Sequence, residues 1–221
     1  MVKFKVILTS NSSNINKFKN WKYLGCFFGI IGCIQFIIIT IIAMLFYPGG
    51  YSFWNNFFSH LGFTKSANNG QPNTISSLLF IITMILGGIF FIPFWLSIRT
   101  IFTETKRLRY TTWFGTILGL ISCPLLAMVA LIPGDIMRDQ HLLVTMLFFF
   151  FFALGIIVYS IAMLFNKNYD NFYAYIGFAM AVLLLLYMSI FLLNAAVQKI
   201  TVYVLISWVI IQGTKVWKIL D

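Results

Sequence analysis

The chain has 221 residues, of which 61% are hydrophobic and only 9% charged, with a formal net charge of +10. That balance lies far outside the range of a soluble globular domain and marks an integral membrane protein. The positive charge needs no nucleic-acid partner, because asymmetry across a membrane and contact with anionic lipid head groups account for it.

Apolar runs of about 20 residues, long enough to cross roughly 30 Å of hydrocarbon as helices, recur six times. They cover residues 24–47, 76–98, 112–133, 141–166, 172–195 and 201–219. A barrel would need alternating polar and apolar residues, and "MLFFFFFALGIIVYSIAMLF" does not alternate. The expected fold is all-α, a polytopic bundle of six transmembrane helices with both termini cytoplasmic. It divides into a basic N-terminal segment, residues 1–23, and a six-span domain, residues 24–221.

The N-terminal segment carries Lys3, Lys5, Lys17, Lys19 and Lys22. Its polar lead, the length of the following apolar run and "FYPGGYS" at the run's end argue against a cleaved signal peptide, so the run reads as a retained first span. Asn11-Ser12-Ser13 fits a glycosylation acceptor but falls on the cytoplasmic side. Within span one, Gly25, Gly29 and Gly32 can bring a neighbouring helix close, as can Gly115 and Gly119 in span three. Pro93 and Pro124 are expected to bend spans two and three. Cys26, Cys33 and Cys123 all fall inside spans, at spacings that suit packing rather than metal binding.

Lys and Arg tend to stay cytoplasmic. Twelve of them, the five N-terminal lysines with Arg99, Lys106, Arg107, Arg109, Lys167, Lys215 and Lys218, fall on the side of the termini; Lys65, Arg138 and Lys199 fall on the other. In mid-membrane the polar groups Gln35, Ser122, Thr145, Tyr159, Ser160 and Ser189 are all neutral. This weighs against a proton-coupled transporter, which carries ionisable groups inside its spans.

Function is therefore sought on the two outer loops. Residues 48–75 form a long loop containing "YSFWNNFFSHLGF". Trp54, Phe57, Phe58 and Leu61 recur at helical spacing, with Asn55, Asn56, Ser59 and His60 on the opposite arc, Ser52 as N-cap and Gly62 as stop. The spacing predicts a short amphipathic helix at the membrane surface, its polar face either meeting water or roofing a pocket. The other loop, "LIPGDIMRDQHLL", groups four ionisable residues. Asp139 is expected to cap the fourth helix and Arg138 to be solvated or locally paired. Asp135 and His141 flank a tight turn, either as a structural hydrogen bond or as a carboxylate that orients an imidazole for base chemistry.

The order of these features resembles the domain of unknown function 998 family of small archaeal and bacterial membrane proteins. The likeness rests on "YPGGYS" at 47–52, "FSHLG" at 58–62, "IPGD" at 132–135 and His141, and it covers most of the first four spans. It points to Tyr51, Ser52, Ser59, Leu61, Gly62, Pro133, Asp135 and His141, while His60 stands where the family has an acidic residue. A weaker likeness is to alkaline ceramidases, which hold zinc with three His, an Asp and a Ser. This chain has two histidines, so the metal alternative reduces to His60, His141 and Asp135.

The favoured expectation is a non-catalytic membrane component that binds a lipid, small ligand or partner at its outer face, through Tyr51, Ser52, Asn56 and His60. The alternative is an outer-leaflet lipid or head-group hydrolase using His141, Asp135 and Ser59. Neither calls for a cofactor. Membrane lipids are the expected partners, nucleic acid is not, and a prokaryotic cytoplasmic membrane is the expected location.

Overall fold

The computed structural model describes residues 20–221 apart from 168, 191 and 193. The N-terminal lysines Lys3, Lys5, Lys17 and Lys19 and the Asn11 acceptor lie outside the described residues. Among the described residues there are six long helices: α1 (Trp21–Leu45), α2 (Thr74–Ile98), α3 (Lys106–Leu131), α4 (Arg138–Leu164), α5 (Asn171–Ser189) and α6 (Ala195–Leu220). All six are long and apolar enough to cross a membrane, and the chain is a multi-pass membrane protein.

Several helices start earlier than their apolar runs because polar caps set their ends. Asn20 accepts from the Lys22 N–H at 3.1 Å, Thr105 from Leu108 at 3.1 Å, and Asn194 from Val197 at 3.0 Å. The last two place "KRLRY" and "AAVQK" inside helices. At α4 the cap position is Met137, which makes no side-chain capping bond. Asp139 sits one position inside the helix, where its charge still meets the positive end of the dipole but does not cap it.

Each helix packs on its neighbours in sequence, and α6 returns to α1 to close the ring. The α1–α2 seam depends on glycine: a Cβ at Gly25 would lie 2.4 Å from the Pro93 carbonyl oxygen. Gly119 of α3 admits Trp95, whose ring atoms would come within 2.2 Å of an added Cβ. The centre is aromatic. Trp95 contacts Phe152 (ring centroids 5.1 Å apart), Trp208 (5.7 Å) and Tyr159 (5.7 Å), and all four are fully buried. Gln35 and Thr83 satisfy each other across the α1–α2 seam. Thr83 Oγ1 donates to Gln35 Oε1 at 2.8 Å, and Gln35 Nε2 donates to the Thr83 carbonyl. The three cysteines are buried and unpaired with one another.

The connections α1–α2, α3–α4 and α5–α6 share one end of the bundle, here the upper face. The expected amphipathic helix in the first of them is replaced by a turn at 53–56 and a five-residue 3-10 helix, Phe58–Gly62. Phe57 is extended (φ −70°, ψ 155°), which breaks any helical ladder between the two. The cause is competition for backbone groups. Asn56 Oδ1 takes the Ser52 N–H at 2.8 Å, and Gln198 Oε1 takes the Phe58 N–H at 2.9 Å. Phe58 and Leu61 are buried as their apolar spacing requires, whereas Trp54 is 69% exposed.

Candidate functional site

The upper-face site is assembled from residues of the α1–α2 loop and the starts of α4 and α6. Asn73, fully buried, ties down the 3-10 segment by donating to the Leu61 carbonyl at 2.9 Å and the Phe63 carbonyl at 3.0 Å. A short hairpin follows, with the Asn73 N–H on the Thr64 carbonyl (2.9 Å) and the Ser66 N–H on the Gln71 carbonyl (2.8 Å).

Asp135 joins this loop to the α3–α4 turn. Its Oδ2 accepts from Thr64 N–H at 2.9 Å, Thr64 Oγ1 at 2.6 Å and Lys65 N–H at 3.1 Å. Burial alone would raise this carboxyl, but those hydrogen bonds outweigh it and hold the group below its ordinary value. His141 is oriented from elsewhere: its Nδ1 lies 2.7 Å from the Ile132 carbonyl oxygen. A carbonyl only accepts, so Nδ1 carries the proton, and Nε2 of the neutral ring is left as an acceptor. The expected Asp135–His141 pair is thus resolved into two separate structural bonds. The carboxylate is occupied by the facing loop, and a backbone carbonyl does the orienting.

His60 has the opposite tautomer. The Asn56 amide is fixed by the Ser52 N–H on its oxygen, so its nitrogen donates both to Asn68 Oδ1 at 2.9 Å and to His60 Nδ1 at 3.2 Å. The proton of the neutral His60 ring then sits on Nε2. Burial, with the nearby Lys199 ammonium, pushes His60 down to about 4, so it is uncharged at neutral pH. Tyr51, Ser52 and Asn56, expected as ligand contacts, form the scaffold behind His60: the Tyr51 hydroxyl donates to the Asn56 carbonyl at 3.0 Å.

Lys199 departs most from expectation. Counted by sequence as a loop cation, it is fully buried in the first turn of α6. Its ammonium donates to the Asn56 carbonyl and, at 3.3 Å, to the Ala195 carbonyl, and lies 5.2 Å from the Phe53 ring centre and 5.4 Å from that of Tyr51. Gln198, beside it, fixes the 3-10 segment. Neither residue was singled out in the sequence, although Asn194 followed by "AAVQ" is a readable helix start.

Between these parts lies a cavity of about 310 Å³. Ser59, His60, Arg138, His141, Thr145 and Gln198 supply its polar lining. Of the expected site residues, Ser59, His60 and His141 are therefore brought together, while Asp135, Tyr51, Ser52 and Asn56 stand outside the lining. His60, His141 and Asp135 do not converge: among the described residues no group of three His, Cys, Asp or Glu could hold a metal ion. The zinc site expected on His60, His141 and Asp135 does not form, since Asp135 is turned to Thr64 and Lys65.

A family model for proteins of unknown function, DUF998, matches residues 30–215. The chain belongs to the DUF998 family. The matched region reaches from α1 into α6, so it extends the resemblance seen in the first four spans to the last two, and it contains every residue that lines the upper cavity. No curated protein and no solved structure matches the chain. The family is one of unknown function, and the site is what bears on this chain's activity.

Proposed function

We propose that this DUF998 protein is a binding component of the membrane that holds a small ligand or lipid in the upper cavity, and that the upper face is the outer one. The observation that carries this reading is the 310 Å³ space lined by hydrogen-bonding groups from three separate elements. Two imidazoles of fixed and opposite tautomer and one guanidinium line it, and the charge pattern supports the orientation. Arg99, Lys106, Arg107, Arg109, Lys167, Lys215 and Lys218 belong to the lower end, so both termini are cytoplasmic in this proposal. A prokaryotic cytoplasmic membrane suits this topology.

The test uses protein transferred from its native membrane into lipid nanodiscs, with co-purifying small molecules identified by mass spectrometry. Leu142→Trp, which fills the cavity from α4, should remove a molecule that the unaltered protein carries. Retention of the same molecules by the folded variant would overturn the reading. Reporter fusions in the 66–71 hairpin and at the C-terminus should lie on opposite sides of the membrane.

One observation favours a second reading, an outer-leaflet lipid or head-group hydrolase. With Nδ1 committed to Ile132, His141 keeps Nε2 free to accept a proton, and it shares the cavity with Ser59. In that scheme Asp135 has no chemical part. Loss of lipid turnover in His141→Ala at unchanged thermal stability would establish it, and absence of turnover in the unaltered protein would remove it.

A further inference from the structure

The upper cavity does not end at its polar lining. A second space of about 70 Å³ lies deeper in the bundle, between α1, α2, α3, α4 and α6, and its walls are almost wholly apolar: Cys33, Phe36, Met84, Leu126, Phe148 and Leu205 are representative. Ser59, Thr145 and Gln198 line both spaces, so the two meet at these side chains. Phe91 and Phe149 also line the deep space, and Phe91 packs at a tilt against Phe152 of the central aromatic cluster, ring centroids 5.9 Å apart.

Two further observations define what fits. Thr145 is 5% exposed and its hydroxyl has no partner in the protein, which costs free energy unless something else supplies a bond. It stands where the polar and apolar spaces join. Of the groups lining the upper space, Arg138 is the one with a permanent charge, and no carboxylate lines it. Asp135, outside the lining, is occupied by Thr64 and Lys65, and His60 is uncharged.

We infer that the ligand is a single-chain anionic amphiphile, its acidic head beside Arg138 in the upper cavity and its hydrocarbon chain running past Thr145 into the apolar space. This rests on the binding reading above and adds the chemical class. At about 70 Å³, roughly half the volume of an apolar cavity that holds benzene, the deep space admits the end of one slender chain and not two, which selects a fatty acid or a lysophospholipid over a diacyl lipid. A polar atom near the head, such as a carboxylate or ester oxygen, is positioned to accept from the Thr145 hydroxyl, and His60 Nε2–H is a further donor at the head.

Saturable binding of radiolabelled octanoate, dodecanoate and palmitate, and of palmitoyl lysophosphatidylglycerol and uncharged monopalmitoylglycerol, to the full chain in phosphatidylcholine nanodiscs tests this, with empty nanodiscs subtracted. Affinity should rise from octanoate to dodecanoate, and lysophosphatidylglycerol should outcompete monopalmitoylglycerol. Arg138→Gln should weaken the anionic probes roughly tenfold, the value of one charge-assisted contact, and leave monopalmitoylglycerol unchanged. Val129→Phe, filling the deep space, should flatten the chain-length series. The relative affinities of palmitate and lysophosphatidylglycerol tell a carboxylate head from a phosphate one.

Chain-length dependence in the unaltered protein requires no variant to fold, and its absence would overturn the inference while leaving a head-group site in place. Equal binding of lysophosphatidylglycerol and uncharged monopalmitoylglycerol would overturn the assignment of charge. If none of the probes binds saturably while Leu142→Trp still strips a co-purified molecule, the amphiphile is wrong and the cavity reading stands. If both experiments fail, so does the cavity reading.

Discussion

Asp135→Ala separates a latch from a chemical role. The carboxylate accepts three hydrogen bonds from two consecutive residues of the first loop, at 2.6, 2.9 and 3.1 Å. Bonds to a charged acceptor contribute about 1.5–3 kcal/mol each when protected from water, but Asp135 is exposed and water competes for the same donors. A net loss of about 1–2 kcal/mol follows for the three together, with Asp135→Asn intermediate because it keeps one acceptor oxygen. The loss is local. Amide exchange at Thr64 and Lys65 should accelerate roughly five- to thirtyfold, while amides in α2 and α4 stay protected. Hydrogen-exchange mass spectrometry in nanodiscs reads this directly. Unchanged exchange at Thr64 and Lys65 would refute the latch. A variant that loses lipid turnover with its loop still protected would return Asp135 to the chemistry.

Other outcomes follow from the same geometry. Gly119→Ala should lower thermal stability by about 2 kcal/mol or more, because its Cβ would meet the fully buried Trp95 ring at 2.2 Å, whereas Gly87→Ala, facing the movable Leu126 Cδ2 at 3.3 Å, should be nearly neutral. Equal melting temperatures for the two variants would contradict the packing. For His60 the folded value, about 4, is below its ordinary 6.5, so the unfolded chain binds more protons between these limits. Its contribution to stability is complete above about pH 6.5 and is lost as pH falls towards 4. His60→Gln should remove that part of the melting-temperature profile and leave the steeper fall below pH 4, to which Asp135 contributes. Amine-reactive labelling should modify Lys65 and spare the fully buried Lys199, and comparable labelling of both in the folded protein would place Lys199 in water.

The six helices were legible because hydrocarbon thickness leaves a strong periodic trace in the chain. The glycine stripes were legible too, and Gly25 and Gly119 prove to be points of close helix approach. Ser59, His60 and His141 could be named from loop chemistry, and the structure places all three at one cavity. What could not be read was pairing across long sequence separations. Nothing near Asp135 shows that Thr64 will claim it, and nothing near Phe58 shows that Gln198 will take its N–H. Those two bonds decide that the first loop is a broken turn and not a helix, and that Asp135 does not orient His141. Thr145 was read as one neutral residue among several in mid-membrane. Its position at the junction of two cavities depends on five helices at once, as does the burial of Lys199 beneath aromatic rings of the first loop.

The most direct measurement is an experimental density map of the protein taken from its native membrane without delipidation. A continuous elongated feature, broad beside Arg138 and His60 and narrowing past Thr145 to Phe91, is the predicted result. An upper cavity closed by its own side chains, or one holding only water with the apolar space empty, would contradict the account.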